Sequence, residues 1–225
     1  MNKMRDTVRR KWSYFVDYYL LKTVIILAAA SLAAFIIIRV VSGGDSYKFC
    51  TAVIGVTLDS AQSQYLSDTE LAALSSAQGV EADKDDILTD SDFSLQSDGL
   101  NKLQVMLSNG AVDLIITDED SFRLLAGYGY FLDLGTVLDD EGMSLAEGLT
   151  VSAAGYLDDD NLGFEDTETG KGPSEPYGIM FSSDGGQEDN LVVAIAASTE
   201  NTEAAASVIL SMARETKETA KEGSR

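Results

Sequence analysis

The chain has 225 residues, of which 45% are hydrophobic, so it is long enough for one ordinary domain with a buried core plus an anchor. Its first 44 residues carry seven Lys or Arg and two Asp, net +5, so the remainder holds nine bases and 35 acids, net −26. Such a charge repels nucleic acid and anionic lipid headgroups. Histidine is absent and the single cysteine is Cys50, which excludes Ser–His and Cys–His nucleophile pairs, histidine-based zinc sites and an internal disulfide.

Residues 20–41 read LLKTVIILAAASLAAFIIIRVV and form a 22-residue apolar run. As a helix at about 1.5 Å per residue they would span roughly 33 Å, enough to cross a hydrocarbon core of about 30 Å. A cleaved signal peptide is the alternative, but its apolar core is usually about 7–15 residues long and is followed by small residues. Here the uncharged run 23–38 is followed by Arg39, Val40 and Val41, so we predict a retained transmembrane helix.

Basic residues predict the orientation of this helix. Five bases lie within the first 11 residues, whereas only Lys48 follows the helix closely. The positive-inside rule therefore places residues 1–19 in the cytoplasm as a basic and aromatic juxtamembrane segment. It places the C-terminal domain outside the cell, tethered by a short linker at 42–46. Residues 11–22 (KWSYFVDYYLLK) are alternatively a helix that binds a partner. The predicted location is the cell membrane, with the lipid bilayer as a partner through the anchor.

The first part of the domain alternates between apolar runs and amphipathic stretches. Residues 47–57 predict a strand buried on both faces, and residues 58–66 predict a loop. Ser67 and Glu70 have the spacing of a capping box, which predicts a helix that starts there and stops at Gly79.

The next elements continue this alternation of strand and helix. They are a strand at 87–95, a helix capped by Ser97 or Asp98 that ends at 109–110, a strand at 112–117, and a short helix capped by Asp118 or Asp120. Such alternation is typical of a parallel sheet whose strands are connected by crossover helices.

The second part of the domain is less regular. Residues 136–175 predict a loop-rich region with one or two short helices or strands, and strands at 177–181 and 191–196 predict a hairpin. Residues 202–214 predict a helix, and residues 215–225 a flexible tail. The predicted fold is α/β: one N-terminal transmembrane helix, then a domain at 47–214 with a mostly parallel open sheet, flanking helices and a late antiparallel hairpin.

Two stretches of the domain resemble bacterial extracellular solute-binding proteins with the type II periplasmic-binding fold. In residues 101–134, a helix and a small turn lead into an Asp-hydrophobic-hydrophobic strand and another helix. A G-x-(F/L)-x-D-L corner follows, at Gly129, Phe131, Asp133 and Leu134. Residues 191–214 resemble the returning strand and its helix, with an N-x-E-A-A motif at 201–205. The resemblance covers about half of the domain and, with the anchor, implies a membrane-tethered relative of these proteins.

The chain departs from that family at the place of the second lobe. A full binding protein closes two lobes around its solute, and the second lobe follows the early strands of the first. Only residues 138–176, 39 in all, occupy that place here, too few for a separate lobe with its own core. The sequence therefore predicts a single lobe that lacks the interdomain cleft in which a solute would be buried.

Polar residues follow the first and third predicted strands. Ligands of open α/β sheets bind beyond the carboxyl ends of the strands. The candidate ligand-binding residues are therefore Thr57, Asp59, Thr117, Asp118, Asp120 and Ser121. Their hydroxyls and carboxylates suit a sugar, a cationic solute or a metal. The alternative, which we favour, is that Asp118 and Asp120 cap a helix and offset its dipole.

No other motif points to a specific chemistry. Paired carboxylates can act as general acid and base, but chance pairs are expected among 35 acids, so no catalytic residue is predicted. Residues 158–163 (DDDNLG) approach a calcium loop but lack its fifth and twelfth ligands. Neither a metal site nor a cofactor is predicted.

Three functions remain open at this point. The first is an interaction module that uses a single lobe to contact another envelope protein or a membrane transporter. The second is a module that binds a small solute, such as a sugar, amino acid or peptide, for an ABC-type transporter. The third is an extracytoplasmic hydrolase that uses acids.

Overall fold

The computed structural model describes residues 47–93, 95, 97–157, 169–181 and 191–222. Its strands are β1 Phe49–Ile54, β2 Ile87–Phe93, β3 Leu114–Thr117, β4 Thr150–Ala154, β5 Ser174–Phe181 and β6 Leu191–Ile195. Its helices are α1 Ser60–Gln78, α2 Ser97–Ser108, α3 Glu119–Gly127, α4 Leu134–Val137, α5 Asp140–Ala146 and α6 Thr202–Glu222, with a 3₁₀ turn at Lys84–Asp86. None of the described helices is both long and apolar enough to cross a membrane.

Several predicted features lie outside the described residues. They are the cytoplasmic segment at 1–19, the transmembrane helix at 20–41, the linker at 42–46, the calcium-like loop at 158–163 and the hairpin turn at 182–190. These features stay predictions.

The six strands form one sheet in the order β2-β1-β3-β6-β5-β4. β1 pairs in parallel with β2 and β3, while β6 runs antiparallel to both β3 and β5. β4 forms the second edge and is antiparallel to β5. Four strands, β1, β2, β3 and β5, therefore point the same way. We call the end of the sheet where these four strands begin the amino end, and the opposite end the carboxyl end.

The α/β class, with a sheet flanked by helices, is confirmed for the described residues, whereas the N-terminal transmembrane helix of the same prediction lies outside them. The sheet is mixed, its first three strands are parallel, and β5 and β6 are the expected late antiparallel pair. The predicted strand at 87–95 is observed as Ile87–Phe93, and the one at 112–117 as Leu114–Thr117.

Helices cover both faces of the sheet. Because successive side chains of a strand point to opposite faces, Val53 and Ile116 pack on the face of α1 and α6, whereas Ala52 and Ile115 pack on the face of α2 and α3. Every residue of β1 is buried, which confirms the prediction of a strand covered on both sides. Cys50 is buried on the α2 and α3 face.

α1 begins earlier than predicted. Asp59 is its N-cap and forms a capping box with Gln62, so the prediction of a loop at 58–66 is wrong. The Ser67/Glu70 pair is not a capping box either, because it lies inside the helix. Asp59 has the same capping chemistry as Ser67, and Gln62 at the third helical position completes the box as Glu70 was expected to do. The helix ends as predicted, at Gly79, whose φ of +65° suits glycine.

The region at 138–176 adds to the same sheet. Its described residues include the short helix α5 and the strand β4, and β5 begins at its end. β4 pairs with β5, so both strands extend the edge of the sheet beyond β6. This agrees with the expectation of a loop-rich region that contains one or two short elements.

α6 is longer than predicted. It runs through Glu222 rather than ending at Arg214, so the prediction of a non-helical tail from residue 215 is wrong for residues 215–222. Thr216 remains buried and donates its hydroxyl to the Met212 carbonyl at 2.9 Å, which shows that the packed face continues past Arg214. Alanine, glutamate and lysine, which are strong helix formers, supply most of the other residues in this stretch.

Candidate functional site

The predicted ligand-binding residues follow β1 and β3, two adjacent parallel strands, so they lie at the carboxyl end of the sheet. The two strand ends meet at Gly55. Its backbone has a φ of +72°, and a Cβ there would collide with Oδ2 of Asp118 and lie 3.2 Å from Oγ of Ser121. The close approach of β1 to Asp118 therefore requires glycine at this position.

Asp118 caps α3, as the favoured alternative predicted. Its Oδ1 accepts the Ser121 backbone N–H at 2.8 Å, and its Oδ2 accepts the Ser121 hydroxyl at 2.9 Å. Glu119 and Asp120 lie in the first turn of the helix, where negative charge offsets the positive end of the helix dipole. Both oxygens of Asp118 thus already have partners inside the helix cap.

Asp59 belongs to a second, separate cap. Its Oδ1 accepts the backbone N–H groups of Ala61 at 2.7 Å and Gln62 at 2.8 Å, and Gln62 Oε1 accepts the Asp59 N–H at 2.9 Å. The six candidate residues are therefore divided between two helix N-termini. A ligand-binding role for them stays a prediction, and helix capping accounts for Asp59 and Asp118 without one.

The other candidates differ in exposure. Thr57 and Asp120 are exposed, whereas Thr117 is fully buried. Within the described part of the chain, the Thr117 hydroxyl oxygen has no hydrogen-bond partner. A buried hydroxyl without a partner costs about 1–3 kcal/mol, so this position is a local weakness of the core.

A buried carboxyl that the sequence did not reveal lies under α1. Glu70 is fully buried, and its Oε1 accepts the hydroxyl of Thr51 from β1. Its other oxygen, Oε2, has no partner among the described residues. Burial raises the pKa of Glu70 to about 7; the Thr51 hydrogen bond opposes this rise and the Asp113 carboxylate adds to it.

The pattern of α1 contains the signal for this carboxyl. Leu66, Glu70 and Leu74 are spaced by four residues and share the buried face of the helix. Once the helix is known to start at Ser60, Glu70 is seen to occupy a core position. With the capping box predicted at Ser67 instead of Asp59, Glu70 was interpreted as a capping residue rather than as a core residue.

A second buried carboxylate, Asp113, joins three parts of the fold at the amino end of the sheet. Its Oδ2 accepts the Cys50 backbone N–H at 2.8 Å, while its Oδ1 accepts the Thr199 hydroxyl at 2.5 Å and the Asn201 side-chain amide at 3.1 Å. The same Asn201 amide donates to the Lys48 carbonyl at 2.7 Å. Asp113 and Asn201 therefore connect β1, the start of β3 and the loop before α6.

The motif residues behind the family resemblance serve the scaffold. Asp113 opens the Asp-hydrophobic-hydrophobic strand and contacts Asn201, the first residue of the N-x-E-A-A motif. In the corner motif, Gly129 has a φ of +75°, Phe131 stacks on Phe122 at 5.1 Å between ring centroids, and Asp133 caps α4. These contacts explain the motifs as fold determinants, with no ligand needed.

A surface groove lies between α5 and α6, away from the predicted residues. The cavity has a volume of about 560 Å³. It is lined by Arg214 and Lys217 on α6, by Asp139 and Glu141 at the start of α5, and by the apolar side chains of Leu145 and Leu210. Gly142 allows the close packing of the two helices, because a Cβ there would lie 3.3 Å from Cδ2 of Leu210.

In the described ranges, no group of three or more Cys, Asp or Glu side chains is placed to hold a metal ion. Searches against protein-family models, curated proteins and solved structures found no match to the chain. A functional interpretation therefore rests on the residues and their geometry.

Proposed function

We propose that the chain is a single-pass, membrane-anchored extracytoplasmic interaction module whose single-lobe domain contacts another envelope or transporter protein. The observation that carries this proposal is the position of β4 and β5. These strands come from the region where a second lobe would be expected, yet they extend the same sheet as β1 and β3. The domain thus has no partner lobe to close over a solute in its described residues.

The carboxyl end of the sheet gives further support. There Asp59 and Asp118 accept hydrogen bonds from backbone N–H groups as helix caps. Capping accounts for these two carboxylates without a bound solute.

The charge of the domain favours a cationic protein surface as the partner. Residues 45–225 carry a net charge of −26, so association with a basic patch would be steered over a long range and weakened by salt. Nucleic acid does not suit this charge.

Cross-linking in intact cells tests the proposal. The full chain and a control restricted to residues 1–46 are expressed with the same tag, cross-linked and purified under denaturing conditions. We expect one envelope protein to be enriched with the full chain and absent from the control, with a yield that falls as salt is raised. Equal recovery of that protein with the control, or no enriched protein, contradicts an interaction role for the domain.

Solute binding for an ABC-type transporter is the alternative function, and the groove between α5 and α6 favours it. A zwitterionic amino acid or short peptide could place its carboxylate by Arg214 and Lys217, its ammonium group by Asp139 and Glu141, and an apolar side chain on Leu145 and Leu210.

A thermal-shift screen of the full chain in detergent against amino acids, short peptides, sugars and calcium separates the two functions. Saturable stabilisation by one class of solute supports the alternative, because a ligand that binds only the folded state raises its stability. Loss of that shift in Arg214→Gln but not in Lys84→Gln, an exposed cation outside the groove, would locate the site. No shift with any solute leaves the interaction role as the better account.

A further inference from the structure

The strand β4 lies at one edge of the sheet, and one side of its backbone is unpaired. It pairs with β5 on its inner side and is the last strand in the sheet order. Among the described residues, no backbone hydrogen bond reaches its outer side. Unpaired N–H and C=O groups of this kind are a template on which another extended chain can pair.

Hydrogen bonds at the two ends of β4 show which residues face β5. The Met180 N–H donates to the Leu149 carbonyl at 2.7 Å, just before β4, and the Gly155 N–H donates to the Pro173 carbonyl at 3.0 Å, just after it. Residues 149 and 155 therefore turn their backbone groups towards β5. Backbone groups alternate between the two sides of a strand, so residues 151 and 153 face β5 as well.

The remaining three residues of β4 face outwards. The register shift next to Val151 does not disturb this alternation, because the extra residue, Tyr177, lies on β5. The residues that present their N–H and C=O groups to the outer side are therefore Thr150, Ser152 and Ala154. They are spaced two apart, about 7 Å along the strand, which matches the spacing of the same groups in another extended chain.

The edge at β4 lacks the features that commonly prevent pairing with another chain. Such features are charged side chains, proline and bulges on the edge strand itself. The sequence of β4, TVSAA, contains neither charge nor proline, and Ser152 and Ala154 are exposed. By contrast, the opposite edge strand, β2, carries Asp90 and Asp92 and has an irregular register with β1. The two edges of the sheet are therefore not equivalent.

The core continues to this edge on one face of the sheet. Ala153 is buried on the face of α2 and α3, and Val151 packs against the same core. An added strand that places apolar side chains on this face would lengthen the core. The edge therefore suits an extended segment with alternating apolar and polar residues, the binding mode known as strand addition.

Charge indicates what should flank that segment. The exposed Glu147 precedes β4, and Glu175 on β5 pairs with Ala153. Lys171, the base that precedes β5, already takes part in an interaction within the chain. A segment with Lys or Arg at its ends complements these acids and the net charge of −26. A second copy of the chain is a poorer occupant, because it would bring two domains of that charge together.

We infer that the outer edge of β4 is the docking surface for the partner protein, which adds an extended, basic-ended segment to the sheet as a seventh strand. The inference rests on the proposed function, and it names the surface and the chemistry of the segment that binds there. The segment pairs with the backbone of Thr150, Ser152 and Ala154.

Photo-cross-linking in intact cells tests the inference on the full chain. A photo-reactive phenylalanine analogue replaces the partly buried Thr150, alone or together with Ser152→Pro or Ser152→Ala. Proline removes the outward N–H of residue 152 but no bond to β5, and edge strands tolerate proline at such a position. Alanine keeps that N–H and is the matched control. Near-ultraviolet circular dichroism of the purified variants checks their fold.

We expect the Ser152→Ala chain to cross-link the envelope protein that the full chain enriches, and the Ser152→Pro chain to cross-link about tenfold less of it. Mass spectrometry should assign the cross-link to a segment with Lys or Arg at its ends. Equal cross-linking by the two variants, or a cross-link to a second copy of the chain, overturns the inference and leaves the proposed function intact. If the full chain enriches no envelope protein, the proposed function fails, and the inference fails with it.

A second pair of variants decides the matter if Ser152→Pro disturbs the fold. Ala154→Lys and Ala154→Glu keep every backbone group and add opposite charges at an exposed position of the same edge. Because the partner segment has basic ends, the Lys variant should cross-link several-fold less partner than the Glu variant. Equal recovery with the two variants overturns the inference.

Discussion

Replacing Glu70 by glutamine should remove a pH dependence from the stability of the domain. The Glu70 carboxyl is buried between α1 and β1 with one hydrogen bond, from Thr51, and burial raises its pKa from 4.5 to about 7. A raised pKa means that the folded state binds the proton more tightly than the unfolded chain does. The resulting stabilisation is complete below pH 4.5 and is lost as the pH rises to about 7.

The size of the effect follows from the shift. One pKa unit corresponds to about 1.4 kcal/mol, so a difference of about 2.5 units gives a loss of roughly 3 kcal/mol in the free energy of unfolding across this window. Well above pH 7 the Glu70 carboxyl is ionised in both the folded and the unfolded state. It then makes no further contribution to the change of the free energy of unfolding with pH. A loss of this size is a large part of the stability of an ordinary domain, about 5–15 kcal/mol.

Urea unfolding followed by far-ultraviolet circular dichroism measures the effect on residues 45–225, which contain the whole sheet and both cores. The free energy of unfolding is measured between pH 4.5 and about 8 for the wild type and for Glu70→Gln. Because other carboxylates also titrate in this range, the quantity of interest is the difference between the two proteins. Asp68→Asn, an exposed carboxylate on the same helix, is the matched control and should follow the wild type. A difference that stays constant with pH, or that grows in favour of the wild type as the pH rises, would refute the reasoning.

Three further predictions concern single positions. Gly55→Ala should lower the free energy of unfolding by about 1–3 kcal/mol in urea, because an alanine at φ +72° is strained and its Cβ would collide with Asp118; an unchanged value contradicts this. Asp113→Asn should lower the free energy of unfolding by about 1–3 kcal/mol in the same assay. The amide has one acceptor oxygen where the carboxylate has two, so either the Cys50 N–H or the Thr199 hydroxyl is left without its acceptor. The exposed Asp85→Asn should lower it little. Cys50 should react with a maleimide only after unfolding, since burial raises the pKa of its thiol to about 12; rapid labelling of the folded protein, seen by mass spectrometry, would disprove this.

The sequence predicted an element correctly where one local property of the residues determines that element. The apolar run around Val53 predicted a strand covered on both faces, because apolar residues occupy both faces of β1 and Thr51 is its one polar residue. Gly79 and Gly110 predicted helix ends, and both have a positive φ that glycine adopts at little cost. Asp118 was one of two possible caps, and the structure selects it through its bond to the Ser121 N–H.

The errors arose where two segments had equivalent local chemistry. Both Asp59 and Ser67 can start a helix, and only the packing of Leu66 against the sheet shows that the helix already exists at residue 66. The role of Glu70 could not be read before that start was known. The contact of Asp113 with Asn201 joins residues 88 positions apart, so no local pattern could predict it.

The end of α6 and the approach of Gly129 to Tyr156 show the same limit. The acidic and basic residues after Arg214 fit either a solvated tail or a helix, and the buried Thr216 distinguishes the two only in three dimensions. Gly129 and Tyr156 are separated by a long stretch of chain, and the common end of α3 and β4 places the Gly129 backbone beside the Tyr156 side chain.

Cysteine accessibility in intact cells tests the central claim, an anchored domain outside the cytoplasm, most directly. A cysteine is introduced either at the exposed Glu147 of the domain, as Glu147→Cys, or near the N-terminus, as Lys3→Cys, and cells are treated with a membrane-impermeant maleimide. We predict that Glu147→Cys is labelled in intact cells and that Lys3→Cys is labelled only after permeabilisation. Labelling of Lys3→Cys but not of Glu147→Cys in intact cells, or labelling of neither, would contradict the account.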